Sequence, residues 1–361
     1  MKGKMKVQNF YEPMVMKYEV HDIPQISDNE VLIKVMATSI CGSDISYYYG
    51  HSPLGTPNGK GPQYLGHEIS GIVVEVGTIP MLAGLFEEGD RVAVNPVQQC
   101  NACEACMRGE FNVCSHSEVI GVSCNGGFAE YVKVKYTHVY KIPDEVSFEH
   151  GALAEPLACA AYGMKRLDVQ LGQDVVILGP GPIGLMMVQL AKASGAGRVV
   201  LVGRRDYPLE IGKQVGADVL INTSDKESPY YEEDLVAAVK NKLGHLAPRC
   251  IVMTSNMEAL QNALLVTGPA STIVYFGLPG EGDKLQHPML EAIENDRTIK
   301  CCWQAPLVWD NVFHAIASGQ VNLDPIITHR FTLEDCEKGI KFMKESKEDK
   351  VKGVILIGAA E

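Results

Sequence analysis

The six residues Gly179-Pro180-Gly181-Pro182-Ile183-Gly184 restrict the fold of this chain more than any other stretch. A short apolar run at residues 174–178 leads into them, and a helical apolar period over 183–194 follows. In that setting glycines allow a tight turn and close approach of backbone to a pyrophosphate, whose negative charge the helix N-terminus favours. G-x-G-x-x-G alone is a weak signal. Between a strand and a helix it predicts a dinucleotide site on a doubly wound parallel sheet, with Gly179, Gly181, Pro182, Ile183 and Gly184 as its residues.

Further strands over 198–202, 218–222, 250–253 and 271–277 alternate with helices over 232–243 and 258–266, the signature of βαβ units. Upstream, short β-branched segments at 31–36, 69–76, 91–94 and 129–134 read as a β-rich domain, and the texture changes near 152–156. After about residue 298 come helices over 309–318 and 333–344 and a last strand over 353–357. The expected division is therefore 1–155, 156–297 and 298–361, in a chain of 361 residues that can bury two cores.

Composition removes several function classes. The net charge of −12 comes without any lysine and arginine cluster, which argues against nucleic acid as a partner. No apolar run approaches the roughly 20 residues of a membrane span, and residues 1–6 lead into no apolar signal core, so a cytoplasmic protein with no membrane partner is expected. Eleven cysteines are an odd number, and four of them crowd between Cys100 and Cys114, where a metal explains them better than disulfides do.

Cys100, Cys103, Cys106 and Cys114 let one short loop wrap four thiolates around a tetrahedral ion. Four soft ligands leave no open position, so the spacing predicts a structural zinc site. A ferredoxin-type cluster is the rival, but that run places its fourth cysteine after three residues and follows it with proline, whereas Ser115 follows Cys114 here.

Three shorter motifs gain weight together: Cys41-Gly42-Ser43-Asp44, Gly66-His67-Glu68 and Glu155-Pro156. A catalytic zinc needs about three protein ligands and one exchangeable position. Cys41, His67 and either Glu68 or Glu155 would satisfy it. Taken singly, each reads as a buried cysteine, a core histidine or a solvated carboxylate.

In order and spacing these motifs, with Gly126-Gly127-Phe128-Ala129-Glu130-Tyr131 and the glycine loop, resemble the zinc-dependent medium-chain dehydrogenase/reductase superfamily over nearly the whole chain. Glu155-Pro156-Leu157 is similar to its sorbitol (polyol) and threonine dehydrogenase branches, in which the glutamate can ligate zinc. The resemblance implies a β-rich GroES-like catalytic domain with a structural zinc lobe, a Rossmann domain, and a C-terminal segment that returns to the catalytic domain. It further implies that Cys41 and His67 bind zinc, that Glu68 sits beside the ion, that Asp44 orients His67, and that Ser43 hands on the substrate proton. Tyr47 resembles a family tyrosine near the substrate, although Tyr47-Tyr48-Tyr49 also reads as an aromatic cluster against the core. One departure stands out: many members carry a histidine three residues after the serine, and this chain has Ser46. A homodimer or homotetramer is implied as well.

The strand over 198–202 runs into Gly203-Arg204-Arg205, with no acidic residue to hold a ribose 2′-hydroxyl. Two arginines suit a 2′-phosphate, so NADP is expected over NAD unless Asp206 takes the acidic role in a shifted turn. The expected reaction is hydride transfer between a secondary alcohol (a polyol, cyclitol or similar) or its ketone and that cofactor, with zinc polarising the oxygen. A zinc-free reductase of activated double bonds and a non-catalytic nucleotide-binding redox sensor are the alternatives, and the intact metal motifs argue against both. The loop over 50–62, with three prolines and four glycines, is a candidate insertion near the site.

Overall fold

The computed structural model describes residues 1–52 and 61–358, so most of the candidate insertion over 50–62 lies outside the described residues. The chain forms two compact units. One comprises residues 1–156, 309–317 and 327–361, the other residues 157–308 and 318–326.

The second unit is built on a six-stranded parallel sheet in the order Val219–Asn222, Val199–Gly203, Val175–Leu178, Ala247–Val252, Thr267–Tyr275, Thr298–Cys301. This is the doubly wound order of a Rossmann sheet. The Val175–Leu178 and Val199–Gly203 strands are buried at every position because helices cover both faces. Local chemistry sets the helix ends. Asp234 accepts from the amides of Val236 and Ala237 to start Leu235–Leu243, and left-handed Gly244 ends it. Asn256 caps Met257–Leu265 in the same way, accepting from Ala259.

The expected boundary at 297/298 is corrected here. Thr298–Cys301 pairs in parallel with Thr267–Tyr275 and completes the sheet, so the unit runs on to Val308. Residues 318–326 also belong to it, held by a reciprocal pair of hydrogen bonds between the Gln189 side chain and the backbone of Asn322. The first boundary falls after Pro156, one residue later than expected.

The first unit carries a seven-stranded sheet whose centre is Glu30–Ser39. That strand pairs antiparallel with Glu68–Val76, with Tyr131–Lys135 and with the late strand Lys352–Leu356. Lys352–Leu356 in turn pairs in parallel with Ile327–Thr332. The C-terminal stretch thus returns to the first sheet in part, by the two strands that follow residue 326 and by helices Trp309–Ala317 and Cys336–Glu345. A separate hairpin, Lys4–Glu12 with Val15–Asp22, was invisible to the pattern reading, because its turn uses Met14 at a positive φ where glycine or asparagine would have signalled it. No helix among the described residues is long and apolar enough to cross a membrane.

His138, nearly fully buried in the first unit, meets the side-chain oxygen of Gln99 at 2.6 Å through Nε2. Burial, aided by the charge of Lys135, pushes its pKa down to about 4 from 6.5. The folded protein keeps this ring neutral while the unfolded chain protonates it. Its contribution is therefore complete above pH 6.5 and lost as pH falls toward 4, by about 3 kcal/mol. His138→Gln should remove that component, so that urea midpoints of variant and parent converge between pH 6.5 and 4; parallel curves would show that the ring does not titrate in this way.

Candidate active site

Cys41 caps the helix Gly42–Tyr48, and its amide donates to Oδ2 of Asp44 at 2.8 Å. Asp44 is fully buried, and its other oxygen accepts from the amide of Gly66 at 3.1 Å and lies 3.5 Å from Nδ1 of His67. One carboxylate therefore joins the helix start to the turn that presents His67. That turn demands glycine at 66, where φ is +84° and a Cβ would come 2.6 Å from the Phe128 ring.

With Nδ1 turned to Asp44, Nε2 of His67 lies 3.5 Å from the Ser43 hydroxyl. The donor atoms of Cys41, His67 and Glu68 all fall within 4.8 Å of one another. Thiolate, imidazole and carboxylate are a donor set suited to zinc. Burial opposes a charge on His67, yet the anionic groups of Asp44 and Cys41 hold its pKa well above the ordinary imidazole value. A buried excess of anionic donors around one imidazole fits a divalent cation. Glu155, in the first turn of helix Ala154–Leu167, is not within that trio, although its charge is felt at Lys352.

Two partners of the site escaped the sequence reading. Ser39 stands opposite Glu68 in strand register, and its hydroxyl donates to the Glu68 carboxylate. Lys352 reaches the same carboxylate from the strand on the other side of Glu30–Ser39, with Nζ 2.6 Å from Oε2 and 2.9 Å from Oε1. The two side chains are 4% and 1% exposed. Burial alone would lower the Lys352 pKa, but Glu68, with Cys41 and Glu155, raises it above the usual lysine value. In sequence, a lysine at the foot of an apolar strand reads as a solvated end, so nothing marked it.

Tyr47 is buried in an apolar cluster with Tyr48, Leu65 and Phe128. Burial raises its phenol pKa, against the pull of the Ser52 hydroxyl and of His67, which puts it close to the cluster. Phe128 is wholly buried and packs as core.

The four lobe cysteines converge. Sulfur separations are 3.5 Å for Cys103–Cys106 and Cys100–Cys114, 3.8 Å for Cys103–Cys114 and 4.0 Å for Cys100–Cys106. A tetrahedron with metal–sulfur bonds of 2.3 Å has edges of about 3.8 Å, whereas a disulfide needs about 2.05 Å. All eleven cysteines are free thiols. Backbone amides aimed at sulfur, from Ala102 and Cys103 onto Cys100 and from Cys106 and Ser115 onto Cys103, lower both thiol pKa values and so favour the ligating thiolate.

In the second unit the glycine loop joins Val175–Leu178 to helix Pro182–Ala193, with Gly181 as cap and Pro182 in the first turn. A Cβ on Gly184 would meet the Gly179 carbonyl oxygen at 2.0 Å, so the helix can approach the strand this closely only with glycine there. Val199–Gly203 ends beside exposed Arg204 and Arg205. Asp206 is engaged elsewhere: its Oδ1 accepts from Asn222 at 2.7 Å and from Ser228 at 2.6 Å.

A Rossmann sheet with its glycine loop, and a β-rich unit carrying a thiolate–imidazole–carboxylate cluster, together define a metal-using nicotinamide dehydrogenase. Residues 27–144 match the alcohol dehydrogenase GroES-like domain and residues 182–318 the zinc-binding dehydrogenase domain. L-threonine 3-dehydrogenase of Bacillus velezensis is 34% identical over 91% of this chain and 92% of its own. Sorbitol dehydrogenase of Bos taurus is 34% identical over 93% and 91%. Among solved structures, a Sinorhizobium meliloti protein bound to NADP superposes with a TM-score of 0.87 at 27% identity, covering 98% and 99% of the two chains. An Escherichia coli alcohol dehydrogenase complexed with NADH gives 0.88 at 28%, with the same coverage. The chain belongs to the zinc-dependent medium-chain dehydrogenase/reductase superfamily, on its sorbitol dehydrogenase-like side, and is an alcohol dehydrogenase acting on CH–OH groups.

Because the Asp44 carboxylate lies 3.5 Å from Nδ1 of His67, Asp44→Asn should weaken metal binding at the Cys41–His67 cluster by roughly 10- to 100-fold. Chelator competition reads this, with the metal of the four-cysteine lobe as internal control; unchanged affinity would remove Asp44 from the site.

Proposed function

We propose that the chain oxidises a secondary alcohol, a polyol, cyclitol or similar, and reduces the corresponding ketone, using NADP in preference to NAD. The observation that carries this reading is the convergence of Cys41, His67 and Glu68 within 4.8 Å, beside the Ser43 hydroxyl. Cys41 and His67 would hold the catalytic zinc with a glutamate, Glu68 or Glu155, and the four lobe cysteines a structural zinc. Bound there, zinc supplies Lewis acidity toward the alcohol oxygen, and the nicotinamide supplies the acceptor for hydride.

The residues supply orientation and proton handling. The Asp44 carboxylate, 3.5 Å from Nδ1 of His67, favours the proton on that nitrogen and leaves Nε2 to the site. Ser43, 3.5 Å from that nitrogen, receives the alcohol proton. Ser46, where relatives of the family carry histidine, donates to the carbonyl of Gly42 at 3.0 Å, so the onward path of the proton departs from the family pattern.

The NADP preference is supported by what surrounds the end of Val199–Gly203. Oδ1 of Asp206 is occupied by Asn222 and Ser228, and two exposed arginines stand at the strand end. Such a site suits a phosphate better than a hydroxyl pair. A homodimer or homotetramer is supported by the edge strand Thr298–Cys301, next to which Met289, Leu290 and Ile293 are 60–71% exposed. The reduced thiols of the zinc lobe support a cytoplasmic location.

Three measurements follow. Metal analysis should find two zinc ions per chain, and Cys41→Ser should abolish turnover of an alcohol panel while leaving one zinc; activity surviving in that variant would overturn the metal role. Arg204→Ala should raise KM for NADP by roughly tenfold or more with little change for NAD, the worth of a charge-assisted contact. Equal effects on both cofactors would refute the preference.

A further inference from the structure

We infer that the first unit carries a further small-molecule site: a cavity of about 280 Å³, walled by Met5, Tyr64, Gln98, Cys124, Asn125 and Tyr131, that takes a small uncharged compound by its carbonyl oxygen. None of its lining residues belongs to the Cys41, His67 and Glu68 cluster. Its volume stands at the lower end of ligand pockets, which begin at roughly 300 Å³.

The uncommitted polar groups of this cavity are hydrogen-bond donors. Gln98 is 5% exposed, and its Oε1 accepts from the Lys135 amide at 2.9 Å. Its Nε2 hydrogens have no partner among the described residues, and neither has the Tyr131 hydroxyl. Asn125 is committed on one side in the same way, its Oδ1 accepting from the Tyr64 amide at 3.2 Å. Burial pushes the Cys124 thiol up to about 11, so it keeps its proton. The Tyr64 hydroxyl is engaged by Nδ1 of His21 at 2.8 Å and leaves the cavity its ring.

Charge narrows the choice. Each carboxylate of the lining is already paired, Glu30 with Lys133 at 3.4 Å, Glu118 with Lys135 at 2.8 Å and Asp22 with Lys4 at 2.8 Å. Spare donors without spare charge select an acceptor that is itself uncharged, because an ionised group taken from water needs a counter-charge. The cavity is also preformed. Met5, Tyr64 and Val132 are core residues, 3–8% exposed. The Gly126 amide donates to the Tyr64 carbonyl at 2.8 Å, and a Cβ on Gly126 would stand 2.2 Å from the Gly66 carbonyl oxygen. That wall is therefore pressed against the residue before His67.

The probe is δ-valerolactam, a small ring with one carbonyl oxygen and no charge; piperidinium and cyclohexanecarboxylate are rings of like size that carry a cation and an anion. Methyl-labelled methionine reports from the cavity through Met5, whose signal Met5→Leu assigns. In the full chain with its metals bound, the lactam should shift the Met5 signal saturably, and neither charged ring should. Tyr131→Phe removes a hydroxyl that holds no protein group, so folding is spared, and should weaken the lactam by about three- to tenfold, one neutral hydrogen bond. Gln98→Glu keeps an oxygen for the Lys135 amide but loses the donor, and should weaken it by roughly tenfold or more. Cys41→Ser should leave the Met5 response at the parental level, which separates this cavity from carbonyl binding at the metal cluster. An unmoved Met5 signal, an equal response to either charged ring, parental lactam affinity in Tyr131→Phe or Gln98→Glu, or a Met5 response lost in Cys41→Ser would each overturn the proposal.

Discussion

The carboxylate of Asp44 is the fixed point of the first unit. It is fully buried and takes amide hydrogens from Cys41 and Gly66, which lie on two segments that pack side by side. A buried carboxylate left without partners is costly, so the helix cap and the glycine turn must meet at this point. Once they do, Cys41 and His67 have little freedom left. These two side chains are thus placed by satisfaction of a backbone requirement, and flexible loops need not supply the precision.

Charge then governs what the cluster can be. Anionic groups gather round His67 and Lys352 in a region nearly sealed from water, and the raised pKa values of both reflect the same surplus of negative charge. The cysteine lobe solves the equivalent problem differently, with backbone amides turned toward sulfur. One site is built as a closed cage of like ligands, the other as an unequal set with a lysine at its margin.

Much of this was legible because the signals are local. The glycine loop, the buried Val175–Leu178 strand and the cysteine spacing each occupy no more than 15 consecutive residues and follow from turn and ligand geometry. Cys41, His67 and Glu68 were readable as donor types, and the structure brings them together. Glu155 was readable in the same way, but the structure leaves it outside that trio. What failed to show was non-local or atypical. Thr298–Cys301 is a short edge strand with three exposed positions, one half-exposed and no alternation to read. Ser39 and Lys352 acquire meaning only through sheet register, and Lys352 lies 284 positions from the glutamate it binds.

That separation has a bearing on how the protein comes into being. The central strand Glu30–Ser39 is flanked by a partner from the same region and by one made after everything in the Rossmann unit has been synthesised. Until Lys352–Leu356 arrives, Glu68 lacks the charge of Lys352, and the Ala37–Ser39 end of the central strand lacks its partner on the edge that Tyr131–Lys135 covers only over Glu30–Lys34, an arrangement prone to wrong pairings. The Rossmann unit, whose sheet lies wholly within residues 175–301, can form meanwhile. Completion of the first sheet is therefore a late event, tied to the arrival of a single distant segment.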